Sequence, residues 1–319
     1  MARFSIGTAI GDAFDLVRRR PLSVFVWGML LIAPAFASLA LLLPTMGDLF
    51  ASMPPPGENS PDDMMASRMV AEMMQFQLAS MLLNIGQMLV AAVVYTAVFR
   101  AILRPQERSA FSLRVGMDEL RVAVVGLAIG VGLYVAMLLF IMVGLAVGFA
   151  VWTAGDAVGL TVAICVMVLV MLVGLFLALA RVSMMAPASV LYRDFAFVQG
   201  WRLAAGKTLP LFGMMLVILI LILLFEVLLA VAALIVFSGV AAMADFDWTQ
   251  MHGETNPFAG MNAWIVANWY WAVLGGIVAS FLYGVLMTLS IAPFASACRQ
   301  LDASRTPPVA DEHSPAPAG

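Results

Sequence analysis

Six long apolar stretches set the pattern of the chain, at residues 22–43, 78–103, 122–152, 157–180, 209–240 and 263–293. Each reaches or exceeds the roughly 20 residues that a helix needs to cross a ~30 Å hydrocarbon core. None shows the period-two alternation of a barrel strand. A chain without water around it must satisfy its amides internally, so continuous apolar runs predict helices. Several of the runs would extend about 45 Å at 1.5 Å per residue, which predicts tilt or extension past the headgroups. Arg18, Arg19 and Arg20 ahead of the first run, and Ala35-Phe36-Ala37 inside it, have the look of a secretory signal. The run is longer than the roughly 7–15 residues of a signal core and further spans follow it, so it is expected to remain as the first span.

Shorter amphipathic segments lead into the spans. Ile10, Phe14 and Val17 form one apolar face at i, i+4, i+7, and Phe197, Trp201 and Ala204 repeat that spacing before the fifth span. Residues 111–121 match the pattern less closely. The fold expected is therefore an all-α integral membrane protein. Its six transmembrane helices form three pseudo-repeated hairpins, each preceded by a short interfacial amphipathic helix. Since every unit holds two spans, all three units point the same way. Their pseudo-axis would run along the membrane normal, unlike that of an inverted-repeat transporter.

Composition sharpens this picture: 63% of the residues are apolar and 11% charged, against roughly 45–50% and 25% in soluble domains. An ordinary water-soluble domain is excluded. The net charge of −3 is small, but the signs are segregated. Every basic residue except Arg68 falls on one side of the predicted spans, whereas Asp48, Glu58, Asp62, Asp63, Glu72, Asp156, Asp245, Asp247 and Glu254 fall on the other. By the positive-inside rule the basic side is cytoplasmic, which places both termini inside. Residues 1–305 are expected to form the membrane domain. The tail, 306–319, is too poor in apolar side chains to offset its ordering entropy and is expected to be disordered.

Chemistry is sparse in such a chain. Cys165 and Cys298 are too few for a disulfide framework, and no phosphate-cradling loop, Ser/His/Asp arrangement or zinc spacing occurs. No cofactor, metal or nucleic-acid partner is expected. The partners expected are membrane lipids, with a second protein or another copy of the chain beside them. Glu226 is the one acid deep in a span, where a carboxylate costs at least ~2.5–3.5 kcal/mol. Gln87 and Tyr134 lie at about the same depth and are its expected partners in the bundle interior. Such a group would serve either as a proton or cation site or as a neutral carboxyl making one interhelical hydrogen bond. Arg18, Arg19, Arg20, Arg202 and Lys207 are placed to meet lipid headgroups, each contributing about 1 kcal/mol against an anionic leaflet. Anchoring the bundle would need the same residues.

Other features have simpler expected roles. Met65, Met69 and Met73 share a helix face, and thioethers bind Cu(I), but methionine also fills irregular apolar gaps. Gly126/Gly130, Gly144/Gly148 and Gly276/Ser280/Gly284 would let helices approach closely. Arg100 and Arg181 are expected to snorkel from the ends of spans two and four. Pro187 is expected to end or kink span four.

One stretch carries a family likeness. Arg181-Val182-Ser183-Met184-Met185-Ala186-Pro187, then Gly200-Trp201-Arg202-Leu203, Gly206-Lys207 and Leu211-Phe212-Gly213, resembles the glycerophosphoryl diester phosphodiesterase membrane-domain family. The motif residues that follow from it are Arg181, Pro187, Trp201, Arg202, Gly206 and Lys207, with Gly200 standing where that family often has serine. The resemblance implies a membrane module concerned with lipids or envelope upkeep. The phosphodiester chemistry of that family belongs to a separate soluble barrel, and with His252 and His313 as its only histidines this chain is expected to lack one. The function expected is thus a module or scaffold without catalytic activity of its own, engaging lipid or a protein partner. The alternatives are a transporter using Glu226 and an intramembrane lipid-modifying enzyme.

Overall fold

The computed structural model describes residues 4–51, 63–107, 110–114, 116–153, 155, 157–243, 266–267 and 269–305. Residues 52–62, 244–265, Asn268 and 306–319, on which the expected external segments and disordered tail fall, lie outside the described residues, as do the side chains of Met65 and Met69. The described residues form an all-helical structure with six helices long and apolar enough to cross a membrane. In chain order the helices are α1 (Ile6–Arg19), α2 (Pro21–Ala51), α3 (Asp63–Leu103), α4 (Met117–Thr153), α5 (Ala157–Val182), α6 (Met185–Tyr192), α7 (Phe197–Ala204), α8 (Thr208–Met243) and α9 (Trp269–Ala303). The six spans are α2, α3, α4, α5, α8 and α9.

Local sequence explains the breaks. Ser5 caps α1 in an extended conformation with its hydroxyl facing the Thr8 amide, and Arg18 and Arg19 lie in the last turn, where the helix dipole favours cations. Only Arg20 separates α1 from α2, and Pro21 opens α2 at the position where its missing N–H costs nothing. Pro187 sits in the first turn of α6, and its ring would clash with the carbonyl of Ser183 if α5 continued. The chain accordingly leaves the helix at Ser183 and Met184. Gly206, at φ +73°, makes the left-handed step that turns the chain from α7 into α8.

The repeat differs in its middle unit. Residues 110–112 form a single 3-10 turn in place of an amphipathic helix, and the chain then enters α4 directly. Phe111 and Ser112 both adopt left-handed φ, 54° and 57°, a conformation that side chains with a Cβ hold only when their surroundings impose it. Three side chains impose it here. Trp27 Nε1 donates to the Phe111 carbonyl at 2.9 Å, Arg100 Nη1 to the Ser112 carbonyl at 2.9 Å and Arg20 Nη1 to Ser112 Oγ at 3.0 Å.

Neighbouring spans touch in the order α2, α3, α4, α5, α8, α9 and back to α2, while α3 also meets α9. That cross-contact seats α2 in the groove between α3 and α9. Gly28 and Gly284 set the closeness of this wedge: a Cβ on Gly28 would lie 1.8 Å from the Ser280 carbonyl oxygen, and one on Gly284 would lie 2.1 Å from that of Val24. Trp27, Leu31, Val94 and Val98 fill the space beside the crossing. A second cluster, built on Met184, Leu203, Leu211 and Met214, joins α6, α7 and the start of α8 to the end of α9. The other spans pack little. Within one strongly apolar 18-residue stretch of each helix, 6% of the residues are buried in α4, 0% in α5 and 6% in α8, against 28%, 33% and 24% in α2, α3 and α9.

Candidate functional site

Polar side chains concentrate where the basic residues collect. Arg100, in the last turn of α3, is only 2% exposed, and its Nη2 donates to Glu119 Oε1 of α4 at 2.5 Å with Asp118 at 3.8 Å. Arg104, one turn on, pairs with Asp118 at 3.1 Å and Glu107 at 3.6 Å and donates to the Val190 carbonyl of α6. Arg193 closes the chain onto Glu107 at 2.7 Å, and Arg121 pairs with Asp118 at 2.9 Å. The network binds α3, the 110–112 turn, α4 and α6 into one piece. It is not fully satisfied: Arg100 Nε and Glu119 Oε2 are buried without a hydrogen-bond partner. These positions correct the snorkelling expectation for Arg100. Snorkelling would carry the guanidinium out to water, whereas Glu119 and the Ser112 carbonyl hold it inside the protein.

Arg181 departs from that expectation too. Its guanidinium carbon lies 4.7 Å from the Trp201 ring centroid, and Nη1 donates to Thr208 Oγ1 at 3.1 Å and to the Ala204 carbonyl at 3.5 Å. A cation over an indole face contributes about 0.5–2 kcal/mol. The sequence motif of residues 181–213 is thus a tertiary knot that ties the end of α5 to α7 and the start of α8. Gly200 belongs to it: a Cβ there would fall 2.5 Å from Met185 Cα, so α6 and α7 approach too closely for a larger residue. Arg202 contributes its carbonyl, which accepts from Arg305 Nη2 at 2.6 Å, while its side chain stays exposed, as does that of Lys207.

The cations placed against headgroups divide. Arg18, Arg202 and Lys207 are exposed and make no side-chain hydrogen bond or ion pair among the described residues. Arg19 is exposed but pairs with Asp15 at 3.1 Å. Arg20 is not free for a headgroup, because its guanidinium is drawn inward to Ser112. The faces that α1 and α7 turn to the protein lie beside the apolar faces Ile10/Phe14/Val17 and Phe197/Trp201/Ala204, with Ala204 shared. Helix α1 buries Ala9, Ala13 and Leu16 and leaves Phe14 48% exposed; α7 buries Gly200, Leu203 and Ala204 and leaves Trp201 46% exposed. Each short helix therefore rests on the protein with two small residues and a leucine and leaves an aromatic ring and a cation exposed.

Glu226 does not meet its expected partners. It is exposed on α8 and has no hydrogen bond among the described residues, Gln87 Nε2 donates instead to the Leu31 carbonyl at 3.1 Å, and Tyr134 is 63% exposed. Equal depth did not bring them together because α8 packs on α5, α9 and the start of α1, away from the middle of α3 and α4. The glycine pairs also divide. Gly284 lies in the wedge and Gly144 under the Met167 thioether, whose sulfur would be 2.4 Å from an added Cβ, whereas Gly126, Gly130 and Gly148 face open space. Around Gly144 the far halves of α4 and α5 leave a wholly apolar groove of about 690 Å³, lined by Phe140, Phe149, Trp152, Ile164, Met167 and Met171 among others. Among the described residues no three His, Cys, Asp or Glu side chains converge on a metal position. Met73 and Met74 of the methionine cluster are exposed.

Sequence reasoning did not single out Trp27, Gly28, Ser112, Asp118 or Glu119. The signal for the last two was present, since they are acids at the head of a span on the side of the chain where basic residues collect.

Six apolar helices, with their paired charges gathered where the spans end, define a multi-pass helical membrane protein. Comparisons with protein-family models, characterised proteins and solved structures find no match to this chain.

Proposed function

We propose that the chain is a non-catalytic module of the bacterial inner membrane, oriented with its basic face and termini in the cytoplasm, whose short helices engage anionic lipid headgroups. The observation that carries this reading is the shape of α1 and α7. Each packs on the bundle through Ala, Gly or Leu residues and presents an aromatic ring and an unpaired cation, Phe14 with Arg18 and Trp201 with Arg202, and the unpaired Lys207 follows α7. An aromatic ring settles into the headgroup boundary while Arg and Lys meet phosphate, which is the chemistry of an interfacial helix. Arg20, Arg100, Arg104 and Arg181 of this face are engaged with the protein, whereas Arg18, Arg202 and Lys207 are free to meet lipid. The likeness of residues 181–213 to a lipid-associated membrane-domain family agrees with this reading.

The test is lipid retention. Purified protein is exchanged into nanodiscs of mixed phosphatidylglycerol and phosphatidylcholine, and the annular lipid is quantified by mass spectrometry. Wild type is expected to enrich phosphatidylglycerol, and an Arg18→Gln, Arg202→Gln, Lys207→Gln variant to lose most of that enrichment, since each cation contributes about 1 kcal/mol. Equal retention of the two lipids by wild type would refute the lipid reading. Labelling of Arg114→Cys and Asp194→Cys by an impermeant maleimide in intact cells would refute the orientation.

A further inference from the structure

The distal half of α8, beyond the basic end, holds an unexplained group. Glu226 is exposed near the middle of a helix otherwise lined with apolar side chains, and no described residue hydrogen-bonds to it. Its surroundings are just as open: Leu223 is 50% exposed, Val227 62% and Leu228 64%. A carboxyl facing hydrocarbon lacks any partner that lipid tails could supply, so the monomer leaves this position unsatisfied. The arrangement around it is that of a helix-pairing seam. Leu219, Leu223, Glu226, Ala230 and Ala233 follow one another at alternating steps of four and three, the spacing that keeps one face turned to a parallel partner. Leu223, Glu226, Ala230 and Ala233 are all exposed. The two alanines beyond Glu226 would let a second backbone come close. Nearer the basic end the same side of α8 is already taken, since Phe212 meets Phe176 of α5 edge-on at 6.3 Å, so only the distal half is free.

We propose that this half of α8 is the contact surface of a homodimer whose two-fold axis runs along the membrane normal, with Glu226 meeting its own copy at the centre. Three observations select a second copy over other occupants. A two-fold along the normal preserves depth, so every residue on the seam faces its own equivalent, as an isologous interface requires. A carboxyl group that holds a proton both donates and accepts, so two copies of it can satisfy each other. The described arginines and lysine whose side chains are placed all lie at the basic ends of the helices, so none of these reaches Glu226 at mid-membrane. A single polar position in an otherwise apolar seam then fixes register and stoichiometry. The inference does not depend on the lipid reading above, because it concerns another helix and another depth.

The test uses the full chain in phosphatidylcholine liposomes, where the headgroup preference plays no part. Single-molecule photobleaching measures the dimer dissociation constant of wild type, Glu226→Gln and Glu226→Leu. The amide of Gln keeps both donor and acceptor, so Glu226→Gln is expected to dimerise within a few-fold of wild type. Glu226→Leu is expected to bind about tenfold more weakly, on the scale of one lost interhelical hydrogen bond. In a background free of Cys165 and Cys298, Leu223→Cys and Ala230→Cys are expected to cross-link between copies, and Leu224→Cys and Leu228→Cys, on other faces of the helix, are not. A monomeric wild type would overturn the proposal. So would a Leu variant as tight as wild type, a Gln variant as weak as the Leu variant, or equal cross-linking at all four cysteines.

Discussion

Removing the Glu119 carboxylate should be among the most damaging single changes this protein can suffer. Arg100 is 2% exposed and Glu119 5%, so Glu119→Ala strands a guanidinium away from water. Breaking a buried pair by deleting one partner costs about 3–5 kcal/mol, because the remaining charge has lost its compensation. Asp118 lies 3.8 Å from Arg100, and the Ser112 carbonyl accepts at 2.9 Å. These residual partners put the loss at the low end, about 3 kcal/mol, or on the order of a hundredfold in the folding equilibrium. The double variant Arg100→Met, Glu119→Leu removes both charges, together with the orphaned Nε and Oε2, and apolar replacements of buried pairs are often close to neutral. It forfeits the hydrogen bond to Ser112, about 1 kcal/mol, and so should lie about 2 kcal/mol above the single variant. The exposed Asp15–Arg19 pair, with side chains 57% and 78% exposed, is the control, and Arg19→Ala should cost less than about 1 kcal/mol. Reversible unfolding in mixed micelles of dodecyl maltoside and increasing SDS, followed by circular dichroism and Trp fluorescence, measures all three. If Glu119→Ala lost less than about 1 kcal/mol, or the double variant proved less stable than the single, the pair would not be the buried lock described.

Two further perturbations probe the other joints, each against a matched control in the same unfolding assay. Gly28→Ala places a methyl against the Ser280 carbonyl and should cost about 1–3 kcal/mol by forcing α2 and α9 apart, whereas Gly126→Ala, which meets open space, should be neutral or slightly stabilising. A double-mutant cycle of Arg181→Met and Trp201→Leu should return a coupling of about 0.5–2 kcal/mol, and zero coupling would mean that the cation and the ring stack without interacting.

The spans were legible because lipid imposes one dominant condition, a helix for every crossing segment, and apolar length reports it directly. Three-dimensional placement was not legible in the same way. Counting 1.5 Å per residue puts Glu226, Gln87 and Tyr134 at one depth, but depth is a single coordinate, and the helices that carry these residues do not converge. Arg100 looked like a snorkelling residue because its counter-ion stands across the 110–112 turn. That turn is left-handed at Phe111 and Ser112, with no glycine or asparagine to announce it. Its conformation is imposed by Trp27 of α2, Arg100 of α3 and Arg20, which joins α1 to α2. Sequence periodicity located α1 and α7 and their apolar faces but did not show that the adjoining Ala9, Ala13, Leu16, Gly200 and Leu203 pack on the protein, because period alone does not say which neighbour a helix face meets.

A division of labour follows from the solvent. In water, the bare flanks of α4, α5 and α8 would be driven together. In a bilayer the tails are as apolar as the side chains, so these helices gain little by packing and can remain apart. Cohesion must then come from contacts lipid cannot replace, which are close backbone approach and hydrogen-bonded charge. Both are found in the wedge of Gly28 and Gly284 and in the arginine network at the spans' basic ends. A bundle fastened mainly at one end leaves the α4–α5 groove and the distal flank of α8 uncovered by the described residues. The same reasoning explains why the polar group without a partner lies in the loosely packed half: in the fastened part Arg100 obliged the fold to supply Glu119, whereas Glu226 sits where the monomer has no neighbour to offer.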